Sequence, residues 1–404
     1  MDIEVRPCES TEELRDALNV ISHYFGHENK DEDAERFANW IEVDRMHTAR
    51  DDGTIVGGAG AFTYRMSVPG GGSVSAGGVT VVGVLPTHRR RGVLTSMMKA
   101  QLEDCRARGD EVAYLWASEA TIYGRFGYGL ASRIGAVDLS RERTRFAQPF
   151  EPRGTVRLLD LDEAVQLFPP LYDAVFAQRP GMFSRSKAWW ETRKLNDDPA
   201  RRRGGPLNRA LLELDGEPAG YALYRVAQDW TAGVSSGAVT IQEVITPTPE
   251  ATRELWRWLL DFDWTSRLTA DLLPLDHPLF LLLAEPRRMK FQVNDGVWVR
   301  IIDVEAALSA RTFTGDGAVV LEVGDAFMPK TGGRFRVAAD GVERTDAQAE
   351  ISLDISALGS VYLGGFTFRE LVESFRAGEL VDGAVARADA LFAAAVEPWC
   401  AEIF

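Results

Sequence analysis

Residues 83–102 read GVLPTHRRRGVLTSMMKAQL. An apolar β-type run ends at Pro86, three consecutive arginines (Arg89, Arg90, Arg91) follow, and Gly92 opens an amphipathic segment. Upstream, GGVTVVGVL (77–85) is apolar almost without a break, which predicts a strand buried on both faces. Downstream, Val93, Leu94, Met97, Met98, Leu102 and Cys105 recur at helical spacing and predict a helix from about Gly92 to Arg106. EVAYLWAS (111–118) is a further strand. Strand, helix, strand in this order predicts a right-handed βαβ unit with parallel strands.

A helix start leaves its first backbone N–H groups without partners and carries partial positive charge. Arginines just before it add forked donors suited to phosphate, and a glycine lets a large ligand approach the backbone. Arg90 to Thr95, after a buried strand, therefore form a candidate pyrophosphate cradle. An arginine-rich loop by itself is commonly a solvated helix end; here the proline, the arginines, Gly92 and the βα context coincide. Residues 83–102 do not contain the P-loop pattern, and Gly58-x-Gly60 lacks the third glycine of a dinucleotide fingerprint.

The wider chain has 404 residues, 45% hydrophobic and 26% charged, as in ordinary globular domains. Its formal charge of −15 disfavours a general nucleic-acid binder and suits cationic small molecules. Cys8, Cys105 and Cys400 offer neither a disulfide framework nor C-x-x-C spacing, so a reducing, cytoplasmic setting is expected. The N-terminus does not resemble a signal peptide, and PLFLLLAEP (278–286) is too short to span a bilayer, so no membrane role is expected.

Three blocks are expected. Residues 1–145 hold the βαβ unit, preceded by a helix over TEELRDALNVISHYFG (11–26), capped at Ser10 or Thr11, and a strand or hairpin arm over TIVGGAGAFTYRMSV (54–68). Residues 146–300 contain RALLELDGEPAGYALYRV (209–226), whose Asp215-Gly216 is a hairpin signal. They also carry a weak internal repeat: Val79-Thr80-Val81 aligns with Val239-Thr240-Ile241, and Val84 with Val244, each before a helix. The second copy has TPTPEAT where the first has PTHRRRG, so it lacks the turn chemistry. Residues 301–404 alternate strands (AVVLEVGD, GRFRVAADG) with two helices, an α+β pattern.

The arrangement V-x-V-x-P-T-H-R-R-R-G resembles the acetyl-coenzyme A turn of the GNAT superfamily of N-acetyltransferases, R/Q-x-x-G-x-G/A. Arg89-x-x-Gly92 matches it, while Leu94 departs from the final small residue. ASEATIYGRFGYG (117–129) and the closing Phe404 resemble the enhanced intracellular survival (Eis) family of aminoglycoside acetyltransferases over the whole chain. The resemblance implies two tandem GNAT-like mixed-sheet domains, the second degenerate, and a C-terminal sterol-carrier-protein-like α+β domain. It implies acetyl-coenzyme A as co-substrate, with no metal. Backbone groups of Val82, Gly83 and Val84 would pair with pantetheine. Arg90, Arg91, Gly92, Val93, Leu94 and Thr95 would hold the pyrophosphate, with Ser118 and Glu119 near the reactive end. For Val82 and Val84 plain β-core packing is compatible with that role.

By the same resemblance Tyr123 is the general acid and the terminal carboxylate of Phe404 the base, acting through water. Gly124, Gly127 and Gly129 would bring the backbone close to the ligand, and Tyr128 would be structural. The expected activity is direct acetyl transfer to an amine of a polycationic, aminoglycoside-like small molecule. A polyamine or protein-lysine acceptor, or a non-catalytic lipid-binding or interaction protein, are the alternatives. Phe25, Glu28, Asp33, Phe37 and Trp40, with Glu402 and Phe404, are candidates for the acceptor pocket. A homo-oligomer, in this family a hexamer, is implied.

Overall fold

A computed structural model describes residues 3–198 and 204–404. The chain divides into two compact units, one of residues 1–132, 296–395 and Phe404, the other of residues 133–295 and 396–403.

In the first unit, β1 (Glu4–Pro7), β2 (Met46–Asp51), β3 (Thr54–Ser67), β4 (Ser73–Val84), β5 (Val112–Trp116) and β6 (Gly129–Leu130) belong to one sheet. Strand Val297–Ile301 completes it, antiparallel to both β5 and β6 and lying between them. Helix α1 (Thr11–Phe25) starts where Ser10 accepts the Glu13 N–H at 3.2 Å and ends at Gly26, whose φ of +70° reverses the chain. Helix α2 (Asp31–Phe37) follows, with Asp33 closing its first turn on the Lys30 N–H. Helix α3 (Val93–Ala107) joins β4 to β5, and these two strands run parallel as the pattern predicts.

Their pairing lasts only from Ala76–Val112 to Gly78–Tyr114. Beyond it, Val81 has a φ of +46°, a left-handed conformation that a β-branched residue resists. The register between β3 and β4 slips there, with Gly60 facing Thr80 and Gly58 facing Gly83. The end of β4 thus bends away from β5. The expectation of a strand buried on both faces holds through Val79; Thr80, Val81 and Val82 are only half-buried because this stretch opens on a cleft.

Under β2–β4, Arg45 is 1% exposed and paired with Asp110, which is 5% exposed. The same guanidinium donates to Thr63 Oγ1 at 2.7 Å. Gly77 leaves room for this cluster: a Cβ there would lie 2.7 Å from the Cys105 sulfur. All three cysteines are free and buried.

The rest of the first unit is a five-stranded sheet of Ala318–Gly324, Gly333–Ala338, Gly341–Arg344, Ile351–Asp354 and Ala377–Glu379. Helices Ile355–Val361, Phe368–Glu373 and Ala384–Phe392 accompany it. Arg311, buried and without a carboxylate hydrogen bond, donates to the carbonyls of Val361, Tyr362 and Phe392, closing the ends of two of these helices.

The second unit has its own seven-stranded sheet, which includes β7 (Arg133–Ser140). The Asp215-Gly216 hairpin forms between Asn208–Leu214 and Glu217–Ala227, with both turn residues at positive φ. Strand Ala238–Ile245 pairs parallel with Arg267–Leu273 only as far as Ile241–Ala270. Its other neighbour shifts register between Leu223 and Tyr224. The repeat read in the sequence therefore extends to the parting of the strands. Here the gap receives the chain's own tail: the Trp399 indole N–H donates to the Leu272 carbonyl at 2.9 Å. Among the described residues no helix is long and apolar enough to cross a membrane.

Removing the carboxylate of Asp110 leaves a buried guanidinium uncompensated. Asp110→Ala is expected to destabilise the first unit by about 3–5 kcal/mol, read as an earlier first transition in urea; an unshifted midpoint would show that the pair contributes nothing.

Candidate active site

Where β4 leaves β5, a cleft of about 650 Å³ opens in the first unit. One wall is backbone. Val82, Gly83 and Val84 line it along an edge of β4 whose rungs to β5 have ended at Gly78. Tyr24 from α1 donates its hydroxyl to the Val84 carbonyl at 2.6 Å and fixes the end of that edge. A strand edge with no strand beside it is a surface for amide groups of an extended ligand.

The floor is the start of α3. Arg90 has a φ of +62° and Gly92 a φ of +82°, so the chain turns left-handed twice around Arg91. No side chain caps the helix, and its first backbone bond runs from Ser96 N–H to the Gly92 carbonyl. The N–H groups of Val93, Leu94 and Thr95 therefore have no acceptor within the helix, and all three residues line the cleft. Arg89 and Arg90 flank them, and His88 is braced by Asp51 at 3.1 Å. A Cβ on Gly92 would meet nothing within 4 Å. The glycine is thus there for its backbone angle, beyond the ligand clearance expected from sequence.

At the far end, Ser118 and Glu119 follow β5 and lead into α4 (Ala120–Tyr123). Tyr123 is 7% exposed and lines the same cleft. Burial pushes its phenol up to about 12. It therefore keeps its proton at neutral pH and can donate it. Tyr128, expected to be structural, is fully buried in the core beneath.

Of the residues expected at the co-substrate, all but Arg91 line the cleft; Arg91 is exposed and lies outside the lining. Arg89, inside it, was already present in the R-x-x-G signature. Ile21, Tyr24 and Arg125 also line it, as does Phe25, which was expected in the acceptor pocket; α1 and the turn after Tyr123 reach the cleft only through the fold.

Gly127 and Gly129 serve a purpose different from the expected one. A Cβ on Gly129 would lie 1.8 Å from the Ser356 carbonyl, and one on Gly127 would lie 2.7 Å from Ile355 and 2.9 Å from the Arg300 guanidinium. They allow close approach to helix Ile355–Val361 and to Arg300, not to a ligand. Only Gly124 faces open space.

The other candidates divide in the same way. Phe37, Trp40, Phe62, Tyr64, Tyr114 and Phe404 form a chain of ring contacts, ending with Phe404 at 5.4 Å from Tyr64 and 4.8 Å from Tyr114. Gly78, at the last parallel rung, makes room for it: a Cβ there would lie 2.4 Å from the Tyr64 ring and 3.4 Å from Phe404. Phe25 instead stands at the cleft lined by Arg90, and Glu28 is exposed. Asp33 is engaged at the start of α2 and by Arg36 at 2.5 Å. Glu402 belongs to the second unit, where Arg185 at 2.8 Å and Lys194 at 3.5 Å offset its charge. It is not a spare carboxylate for an ammonium ligand.

A parted β4–β5 pair, an uncapped helix start after an arginine turn and a protonated tyrosine at the open end are the features of a GNAT N-acetyltransferase. Family models agree: residues 4–131 and 181–301 each match an acetyltransferase (GNAT) domain, and residues 304–401 match a sterol carrier protein domain. The chain is 35% identical over 354 residues to N-acetyltransferase Eis of Mycobacterium tuberculosis, covering 85% of this chain and 84% of that one. An uncharacterised N-acetyltransferase of Streptomyces avermitilis is 40% identical over 396 residues, 94% of each chain. The crystal structure of Eis1 from Mycobacterium abscessus superposes with a TM-score of 0.87 at 34% identity, over 99% of this chain and 100% of that one. The chain belongs to the Eis family of GNAT N-acetyltransferases, and its GNAT domain implies use of acetyl-coenzyme A.

Two outcomes test the site. Gly92→Ala forces a side chain into a left-handed angle at a cost of about 1–2 kcal/mol, so calorimetry is expected to show roughly tenfold weaker binding of coenzyme A; equal affinity would remove the turn from the site. Because Tyr123 loses its proton only near pH 12, kcat is expected to show no falling limb from this group between pH 7 and 10. A limb near 10 that vanishes in Tyr123→Phe would contradict the burial seen here.

Proposed function

We propose that this chain transfers acetyl directly from acetyl-coenzyme A to a primary amine of a polycationic small molecule of the aminoglycoside kind. The observation that carries the proposal is one cleft lined together by an uncapped helix start, a free strand edge and a proton-bearing tyrosine. Arg89, Arg90 and the N–H groups of Val93, Leu94 and Thr95 hold the diphosphate. Val82, Gly83 and Val84 offer backbone groups to the pantetheine amides, and Ser118 and Glu119 stand beside the acyl end. These groups suit the co-substrate, which supplies the thioester carbonyl that the amine attacks.

Two protons move. The nitrogen loses one as the C–N bond forms, and the sulfur gains one as the C–S bond breaks. Tyr123 gives its phenolic proton to the sulfur. The Phe404 carboxylate takes the amine proton through water. Supporting that role, the Phe404 ring is seated on Tyr114 and Tyr64 at the place where the strands part. The neighbouring rings Phe37 and Trp40 suit ammonium groups, as does the net charge of −15. Assembly as a homo-oligomer, a hexamer by family resemblance, and a cytoplasmic setting complete the proposal.

The test is thiol release from acetyl-coenzyme A over a panel of aminoglycosides, polyamines and lysine peptides. Fastest turnover with aminoglycosides is expected; preference for a lysine peptide or for spermidine would replace the acceptor class. Tyr123→Phe is expected to lower kcat by about 10²–10⁴ with unchanged affinity for coenzyme A, and undiminished turnover would remove the tyrosine from the mechanism. Residues appended after Phe404 are expected to abolish transfer; a fully active extended protein would exclude the carboxylate.

A further inference from the structure

The turn that carries Tyr123 shares a core with Met98, Leu102 and Cys105 of α3 and with Ala113 and Leu115 of β5, and it also rests on the C-terminal part of the first unit. Within the first unit, residues 120–129 rest on groups that follow residue 296. Arg300, fully buried on strand Val297–Ile301, gives its Nη2 to Asp325 at 2.5 Å. The other oxygen of Asp325 accepts the N–H groups of Phe327 at 3.0 Å and Met328 at 2.9 Å, fixing a tight loop. From that loop the Phe327 ring meets the Phe126 ring at 5.1 Å with a 65° tilt. Met328 enters the same core as Tyr123, Phe126 and Tyr128. The Arg300 guanidinium lies against Gly127, and Ser356 and Ser360 lie against Gly129.

Apart from these groups and the α3 and β5 side chains, Tyr123 is tied locally. Its carbonyl accepts the Tyr128 N–H at a long 3.4 Å, and its ring meets Tyr128 at 5.8 Å. The turn between them is closed by the Gly127 N–H donating to the Gly124 carbonyl at 3.0 Å. Three glycines in six residues give this backbone little stiffness of its own. What holds Tyr123 over the cleft is therefore contact from outside the turn.

We infer that Phe327, on the loop closed by Asp325 and Arg300, is a positioning residue that sets the Tyr123 hydroxyl over the cleft, so that the sterol-carrier-protein-like domain takes part in the proton delivery proposed above. The inference rests on that role for Tyr123. A proton donor displaced by a fraction of an ångström loses rate steeply, while the diphosphate cradle at α3 offers backbone N–H groups and meets this core through the Leu94 side chain. The effect therefore falls on kcat and spares co-substrate binding.

A double-mutant cycle in the full-length protein decides it. Phe327→Ala is compared with the unsubstituted protein and, separately, in a Tyr123→Phe background. The acceptor is whichever amine of the panel turns over fastest. Phe327→Ala alone is expected to lower kcat by about tenfold, with the affinity for coenzyme A by calorimetry unchanged within twofold. In the Tyr123→Phe background it is expected to lower the residual rate by less than twofold. Phe327→Leu, which keeps the apolar volume, covers the case in which the alanine variant does not fold and is expected to lose about threefold, again only when Tyr123 is present. The same fold-loss in both backgrounds, or no loss in either, overturns the inference while leaving Tyr123 as the acid. If Tyr123→Phe is itself fully active, the acid assignment fails and the inference fails with it.

Discussion

One strained backbone angle shapes the working end of the molecule. Val81 sits in a conformation that costs a β-branched residue of the order of 1–2 kcal/mol, and its consequence is that β4 turns away from β5 after three rungs. Had the two strands stayed paired, Val82 to Val84 would present no free edge, Tyr24 would have no Val84 carbonyl to hold, and the helix start would face a closed sheet. The Phe404 ring occupies the same departure point, over Gly78. The second sheet repeats the parting without the arginine turn. Its gap is smaller, about 90 Å³, and is lined by Trp399 from the tail. A register shift thus borders a cleft in one copy and a seat for the protein's own chain in the other, and only the first carries a left-handed residue in its strand.

The first cleft combines two kinds of wall. The N–H donors of Val93, Leu94 and Thr95 with Arg89 and Arg90 suit an anion, while burial keeps the Tyr123 phenol protonated although Glu119 and Arg125 line the same cleft. Glu402, adjacent in sequence to the final residues, plays no part in this pattern because its charge is balanced by Arg185 and Lys194. Acidic residues close in sequence to a functional one are weak guides to a binding pocket unless their cations are also known.

Much of this was legible in the residues. Hydrophobic runs and the Arg89-to-Gly92 signature locate the βαβ unit and the cradle, since these depend on local backbone chemistry, while Val82 to Val84, Ser118, Glu119 and Tyr123 rest on the family resemblance. The Asp215-Gly216 turn and the internal repeat are local in the same sense. The left-handed Val81 was not legible, because valine in the middle of an apolar strand gives no warning of a bulge. Strand Arg133–Ser140 went unmarked as well, and so did the membership of strand Val297–Ile301 in the first sheet; both follow from pairings across more than a hundred residues. Gly127 and Gly129 illustrate a different limit. Sequence showed that a side chain is not wanted there, yet only the fold shows that Ile355, Ser356 and Arg300 are what would collide with it.

The placement of Val297–Ile301 between β5 and β6 also bears on how the protein is made. The catalytic sheet is missing an interior strand until about 300 residues have left the ribosome, and β5 presents an unpaired edge throughout that interval. Closure joins segments separated by some 185 positions, a loop whose ordering entropy is met only late. A fragment ending at residue 295 would lack this interior strand and leave the β5 edge without the partner it has in the full sheet.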